Sequence, residues 1–211
     1  YTNGSNSGDA LTERFRIAAD GSLSTPTLGD NNVRFGVNAG NSILDGGNYN
    51  VLIGDEAGTA ITTGGNNIAI GFRALKSEDA HGNNVAIGAD ALENLDAGAQ
   101  GYNVAIGANA ANDLTSGVQN TIVGALAGDS LTDADRNTVF GYSALTLDVL
   151  GSKSTAVGAI TLANQNNVDG SNNPVAADMF NTAVGYAAGQ EVTTGVQNTL
   201  IGALAGDALT T

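Results

Sequence analysis

The chain has 211 residues, with 30 glycines, 2 prolines, no cysteine and no tryptophan. Its 21 acidic residues outnumber 7 basic ones, and the net charge of −14 repels nucleic acid and anionic membranes. Disulfides are excluded, and no apolar run approaches the ~18 residues of a membrane span.

Apolar residues make up 42% of the chain but aromatics only 5%, which suits a thin core of Ala, Val, Ile and Leu. In chain order, "LTERFRIA" at 11–18 alternates polar and apolar, "ADG" is a tight-turn signal, and "SLST" resumes an extended run. Residues 1–30 therefore read as a β-hairpin and a junction, "TPTLGDN". Alternation puts Arg14 and Arg16 on one face of it.

From residue 31 the chain repeats one sentence. A short apolar run ends at a glycine ten times: Gly36, Gly54, Gly71, Gly88, Gly107, Gly124, Gly141, Gly158, Gly185 and Gly202. The step is 17 residues, with two small slips and one insertion of ten residues within 163–180. Four residues before each glycine stands asparagine, except at Ser154; three after it stands alanine, except at Thr161. Seventeen residues are too few for two helices and two turns, and glycine this dense costs a helix nearly ~1 kcal/mol per interior position. A strand–turn–strand–turn coil fits. The expected fold is all-β: a parallel β-solenoid, or β-roll, of about ten 17-residue coils over 31–211, stacked at about 4.8 Å.

In "NVAIG", Val104 and Ile106 share one strand face and Ala105 takes the other. We expect the Val/Ile face to be the coil interior. The middle column reads Leu52, Ala69, Ala86, Ala105, Ile122, Val139, Ala156, Ala183 and Leu200, with Arg34 its one charged member. A strand apolar on both faces is buried on both. The second face is therefore expected to pack against other copies of the chain, burying Ala69, Ala86 and Leu200. The asparagines are expected to form a ladder of side-chain amides along the rod. The glycines serve corners, and the alanines keep the coil flat where two sheets approach.

Chemistry is sparse. Asp79 and Asp96 share one position in adjacent coils, a pair expected by chance among 21 acids. His81 is the sole histidine, in the turn "EDAHGN", where a histidine is usually solvated. No phosphate loop, nucleophile elbow or calcium-roll motif is present. The expectation is no enzyme, no cofactor and no metal. Insertions in repeat proteins map to surface loops, often on a binding face. Asn166, Asn167, Asp169, Ser171, Asn172 and Asn173 in the insertion are thus candidates to hydrogen-bond sugar hydroxyls. Tyr142 and Tyr186, like Phe72, follow the anchoring glycine; they stack on sugar rings or fill space at an interface.

The copies "NNVAIGADAL" and "YNVAIGANAA" resemble the head repeats of YadA-like trimeric autotransporter adhesins. "ERFRIAADGSLST" together with "TTGVQNTLIGALAGDALTT" is similar to bacteriophage tail-fibre proteins and phage-derived bacterial fibres. The resemblance implies a homotrimeric fibre on a virion tail or cell surface, attaching to a glycan or receptor. A start at Tyr1 and a last copy running off the end read as a fragment of a longer protein. The alternatives are a monomeric solenoid binding glycan, ice or mineral, and a glycan-hydrolysing spike.

Overall fold

The computed structural model describes residues 16–17, 23–24 and 29–211. Strands β1 (Arg16–Ile17) and β2 (Leu23–Ser24) pair antiparallel, with Arg16 opposite Ser24. The remainder of the expected hairpin, Arg14 included, lies outside the described residues.

Each coil contributes one three-residue strand ending at its anchoring glycine. These are β3 (Val33–Phe35), β4 (Val51–Ile53), β5 (Ile68–Ile70), β6 (Val85–Ile87), β7 (Val104–Ile106), β8 (Thr121–Val123) and β9 (Thr138–Phe140). A two-residue β10 (Gly151–Ser152) intervenes before β11 (Thr155–Val157), and β12 (Ala177–Asp178) precedes β13 (Thr182–Val184) and β14 (Thr199–Ile201). Ten strands stack in one parallel sheet, in the order β3, β4, β5, β6, β7, β8, β9, β11, β13, β14. Every pair is in register, so that Ala69 faces Ala86 and Ala86 faces Ala105. At about 4.8 Å per strand the sheet runs roughly 43 Å. The expected all-β, parallel, 17-residue solenoid is the fold. A second small parallel pair joins β10 to β12, the latter at the end of the segment that holds the insertion.

Apart from β10 and β12, the second strand expected in each coil is absent among the described residues. Its place is taken by turns that hydrogen-bond from coil to coil: Gly58 N donates to Ala74 O, Leu75 N to Ala91 O, Leu92 N to Ala110 O and Ala111 N to Ala127 O. Turns replace a strand because the backbone alternates handedness there. Residues two after each glycine, such as Glu56, Arg73 and Asp90, have φ of 51–61°. Non-glycine residues four after it, such as Leu75 and Leu92, have φ of 49–55°. Each such left-handed residue costs roughly 1–2 kcal/mol, offset by the main-chain ladder and the buried interior it makes possible. The anchoring glycines are more constrained still. Gly107 has φ of 138°, and a Cβ there would lie 2.5 Å from the carbonyl of Gly124 in the next coil. Backbone conformation and close approach both demand glycine at this corner.

The two strand faces are the reverse of the expectation. The middle column points inward: Leu52, Ala69, Ala86, Ala105, Val139, Ala156 and Ala183 are fully buried within the single chain. Leu200, at the last coil, packs against the same core and is partly buried. The Val/Ile/Thr pair points outward, with Ile53, Ile106 and Val184 each 36% exposed and Phe140 42%. The interior is thin because the strand faces a wall of turns instead of a second sheet, so alanine suffices on the strand side. The alanine column is buried against those turns and separates no sheets.

The asparagine column is buried, as a structural ladder requires. Its bonds run chiefly from side chain to main chain, not amide to amide. Asn50 Oδ1 accepts the Asn67 N–H at 2.9 Å, while Asn50 Nδ2 donates to Gly64 O at 2.9 Å. Asn103, Asn120 and Asn137 repeat the pattern. Direct amide contacts occur at Asn84–Asn67, Asn103–Asn84 and Asn120–Asn103. Asn50, Asn103, Asn120 and Asn137 thus each supply a donor and an acceptor to backbone groups. Arg34 holds the middle position of β3, the first strand of the ten-stranded sheet; its guanidinium donates to Ala39 O, and burial lowers its pKa.

Candidate functional site

The insertion folds as a small turn of its own. Val168 bridges Pro174 antiparallel, Asp169 N donates to Asn173 O, and Asn172 N donates to Asp169 O. The Asp169 carboxylate accepts the N–H groups of Ser171 at 2.7 Å and Asn173 at 3.0 Å. Those bonds hold it below the usual carboxylate range. Asn167 Nδ2 donates to Val175 O. Asp169, Ser171, Asn172 and Asn173 are exposed, while Asn166 and Asn167 are half-buried. The polar groups predicted to meet a ligand are in large part committed to closing their own turn.

Tyr142 and Tyr186 are 57% and 58% exposed and point out from the coil wall, as does Phe72. They occupy one column, with Ala159 between them, so the two rings stand about 10 Å apart along the rod. The insertion leaves the coil much later in the repeat. Tyrosines and loop therefore form two separate surfaces, not one predicted site.

Two buried carboxylates went unrecognised in the sequence. The position seven after each glycine is an interior column of Ile43, Ile61, Leu95, Leu114, Leu131 and Val192. Glu78, Asp148 and Gln165 occupy the same column and are equally buried. Sorting by repeat position reveals them: a carboxylate in a leucine column is the available signal. Asp148 Oδ1 accepts Gly151 N at 2.8 Å, and Asp148 Oδ2 accepts Gln165 Nε2. Gln165 Nε2 also donates to Ser154 Oγ at 3.0 Å, and Gln165 Oε1 accepts Asn181 Nδ2 at 2.7 Å. This network sits in the coil where the repeat breaks. Ser154 replaces an asparagine there, and Gln165 reaches across to it. Burial pushes the Asp148 carboxyl up to about 6, against the hydrogen bonds of Gln165 and Gly151.

Glu78 lies elsewhere, in a second cluster. It groups with Asp79, His81 and Asp96, whose ligating atoms all lie within 4.8 Å of one another. Asp79 and Asp96 do stack as their shared repeat position requires. His81 is not the solvated turn residue expected: its side chain is only 27% exposed. Burial raises the Glu78 pKa despite hydrogen bonds from the Ala97 and His81 backbone.

No protein-family model, curated protein or solved structure matches the chain. What the residues define is a repeat protein: an all-β parallel solenoid of ten coils, with an apolar outward sheet face and two buried acidic positions. No helix among the described residues is long and apolar enough to cross a membrane.

Proposed function

We propose that the chain is a structural and adhesive segment of a homotrimeric fibre, carried on a virion tail or a cell surface and attaching to a glycan or receptor. One observation carries the reading. The outward face of the ten-stranded sheet offers twenty side chains, from Val33 and Phe35 to Thr199 and Ile201, and none is charged. The rest of the chain carries a net charge of −14. Half of the first column is Val or Ile and half is Thr; the second is Val, Ile and Phe throughout. An uncharged stripe roughly 43 Å long on so acidic a chain marks a surface made to be covered. Threefold closure around such stripes covers all of them at once and leaves no face over. Phe72, Tyr142 and Tyr186 border the stripe and extend it.

In this reading the parallel ladder and the buried asparagines give stiffness, and the number of coils sets length. The negative wall keeps the rod soluble and repels anionic envelopes. The resemblance to tail fibres and adhesin heads supplies the attachment role.

Light scattering on the purified chain tests the proposal. The expected mass is three times 20.9 kDa, held on dilution. A monomer would overturn it and favour a single-chain binding module.

A further inference from the structure

The cluster at Glu78, Asp79, His81 and Asp96 has a composition found nowhere else among the described residues: three carboxylates and the chain's one histidine. It lies on the turn side of two adjacent coils, away from the outward strand face. Four observations bear on it. Glu78 has no exposed surface and stands where neighbouring coils carry Ile61 and Leu95. Its Oε1 accepts the His81 backbone N–H at 3.0 Å and its Oε2 that of Ala97 at 3.2 Å. Each oxygen retains a lone pair, and both are fixed by main chain from two coils. Among the described residues, no lysine or arginine pairs with Glu78, Asp79 or Asp96. Finally, His81 Nδ1 is a buried nitrogen with no hydrogen-bond partner, 3.4 Å from Glu78 Oε1.

Among the described residues only His81, and only when protonated, offers Glu78 a positive charge; beside a neutral imidazole the buried carboxylate is costly unless something positive joins them. A proton shared between Nδ1 and Oε1 accounts for two of the groups and leaves Asp79 and Asp96 repelling one another nearby. A divalent metal ion accounts for all four. Two ligands on one tetrahedral ion at about 2.0–2.1 Å stand about 3.4 Å apart, which is the His81–Glu78 separation. Asp79 and Asp96 are exposed, which leaves their side chains free to rotate towards an ion, and their oxygens already lie within 4.8 Å of the other ligand atoms.

We infer that Glu78, His81, Asp79 and Asp96 form a binding site for a divalent transition-metal ion of the zinc class, bridging two successive coils. The imidazole selects against magnesium and calcium, which prefer all-oxygen sets. The ion clips adjacent coils together near the two-residue slip between Gly88 and Gly107.

The test is calorimetric titration of tag-free, metal-stripped full chain with zinc chloride at neutral pH. One zinc per chain and a raised melting temperature are expected. Two variants decide the ligands. His81→Ala should weaken binding at least tenfold. Glu78→Leu, which installs the residue of the next coil, should fold with unchanged circular dichroism and lose binding likewise. Because His81 is the only histidine, a single imidazole NMR signal reports the ion, and zinc should fix the tautomer protonated at Nε2. Absence of saturable zinc binding overturns the site. So does zinc affinity unchanged in His81→Ala, or calcium binding as tightly as zinc, either of which would describe a carboxylate surface only.

Discussion

Leu52 and Gly58 face one another across the interior of a single coil: a Cβ on Gly58 would sit 2.8 Å from Leu52 Cδ2. The next coils exchange the sizes. Ala69 pairs with Leu75, and Ala86 with Leu92, all fully buried. Ile122 returns to glycine, Gly128, whose Cβ would lie 3.3 Å from Ile122 Cδ1. In these coils the strand side and the turn side trade volume, as close packing of an interior requires, whereas Ala105 with Ala111, Val139 with Leu145 and Ala183 with Gly189 depart from the exchange.

This complementarity gives the first prediction. Leu52→Ala alone leaves a cavity and should cost about 2–5 kcal/mol. Gly58→Leu alone overfills the coil against Leu52 and Ile61, and should cost at least as much as typical overpacking, roughly 1–3 kcal/mol. The double variant copies the Ala69–Leu75 coil, including a leucine at left-handed φ, which Leu75 adopts at 52°. It should recover to within about 1 kcal/mol of the parent, an interaction energy that denaturant unfolding of the four-member cycle measures directly. Additive losses would refute the volume argument.

Asn120 provides the second. Its Nδ2 donates to Ala134 O at 2.7 Å and its Oδ1 accepts Asn137 N at 2.9 Å, both buried. Asn120→Ala strands a main-chain carbonyl and a main-chain N–H at about 1–3 kcal/mol each, for a total of roughly 2–6 kcal/mol. Asn120→Asp keeps the acceptor but places a charge in the interior, and should be no better at pH 7. Thermal unfolding of the two variants checks both statements. Native Ser154 departs from this arrangement: its hydroxyl accepts Gln165 Nε2 at 3.0 Å, and the Gln165 amide bonds side chains, Asp148 and Asn181 included.

The third concerns pH. Asp148 is neutral more readily in the folded chain, at about 6, than in the unfolded chain, whose value is 3.8. Between these values the folded state binds the extra proton, so stability rises as pH falls from 7 towards 4 and is lost as pH rises through 6. The difference is on the order of 3 kcal/mol. Glu78 shifts in the same direction, whereas Asp169 shifts oppositely. The double variant Asp148→Leu/Gln165→Leu restores the apolar column and removes the Asp148 contribution alone. The stability gap between parent and variant should therefore move in the parent's favour as pH drops from 7 to 4. A gap independent of pH would refute the assignment.

The repeat, its parallel register and the buried asparagines are legible in the sequence because each is a property of period. Orientation is not, because both faces of "NVAIG" are apolar and alternation alone carries no sign. A sign is nevertheless present. Threonine enters the outward column at Thr121, Thr138, Thr155, Thr182 and Thr199 but never the middle column, and only the middle column trades size with the position six residues on. The second strand was expected on the assumption that a coil has two sheets; left-handed residues such as Arg73 and Leu75 have no sequence signature as strong as glycine. The metal cluster was half visible in Asp79 and Asp96. Glu78 shares its repeat position with Ile61 and Leu95 and with no neighbouring acid, so its signal is a departure from an apolar column.

The face assignment and the proposed trimer are separated by one pair of neighbouring residues. Ala105 is fully buried and Ile106 is 36% exposed, and their side chains point to opposite faces of the same strand. Ala105→Lys places a cation in a dry interior whose opposing residues are Ala111 and Leu114, and should unfold the solenoid or cost well over about 4 kcal/mol. Ile106→Lys puts the same charge on the outward stripe, where a lone chain solvates it at little cost, within about 0.5–1 kcal/mol. Around a threefold axis, however, it would bring three like charges together in an apolar contact, so Ile106→Lys should yield folded monomers by light scattering with an unchanged circular dichroism spectrum. If Ile106→Lys remained trimeric, the stripe would not be the interface. If Ala105→Lys dissociated the assembly while leaving each chain folded, the inward and outward faces would have to be exchanged again.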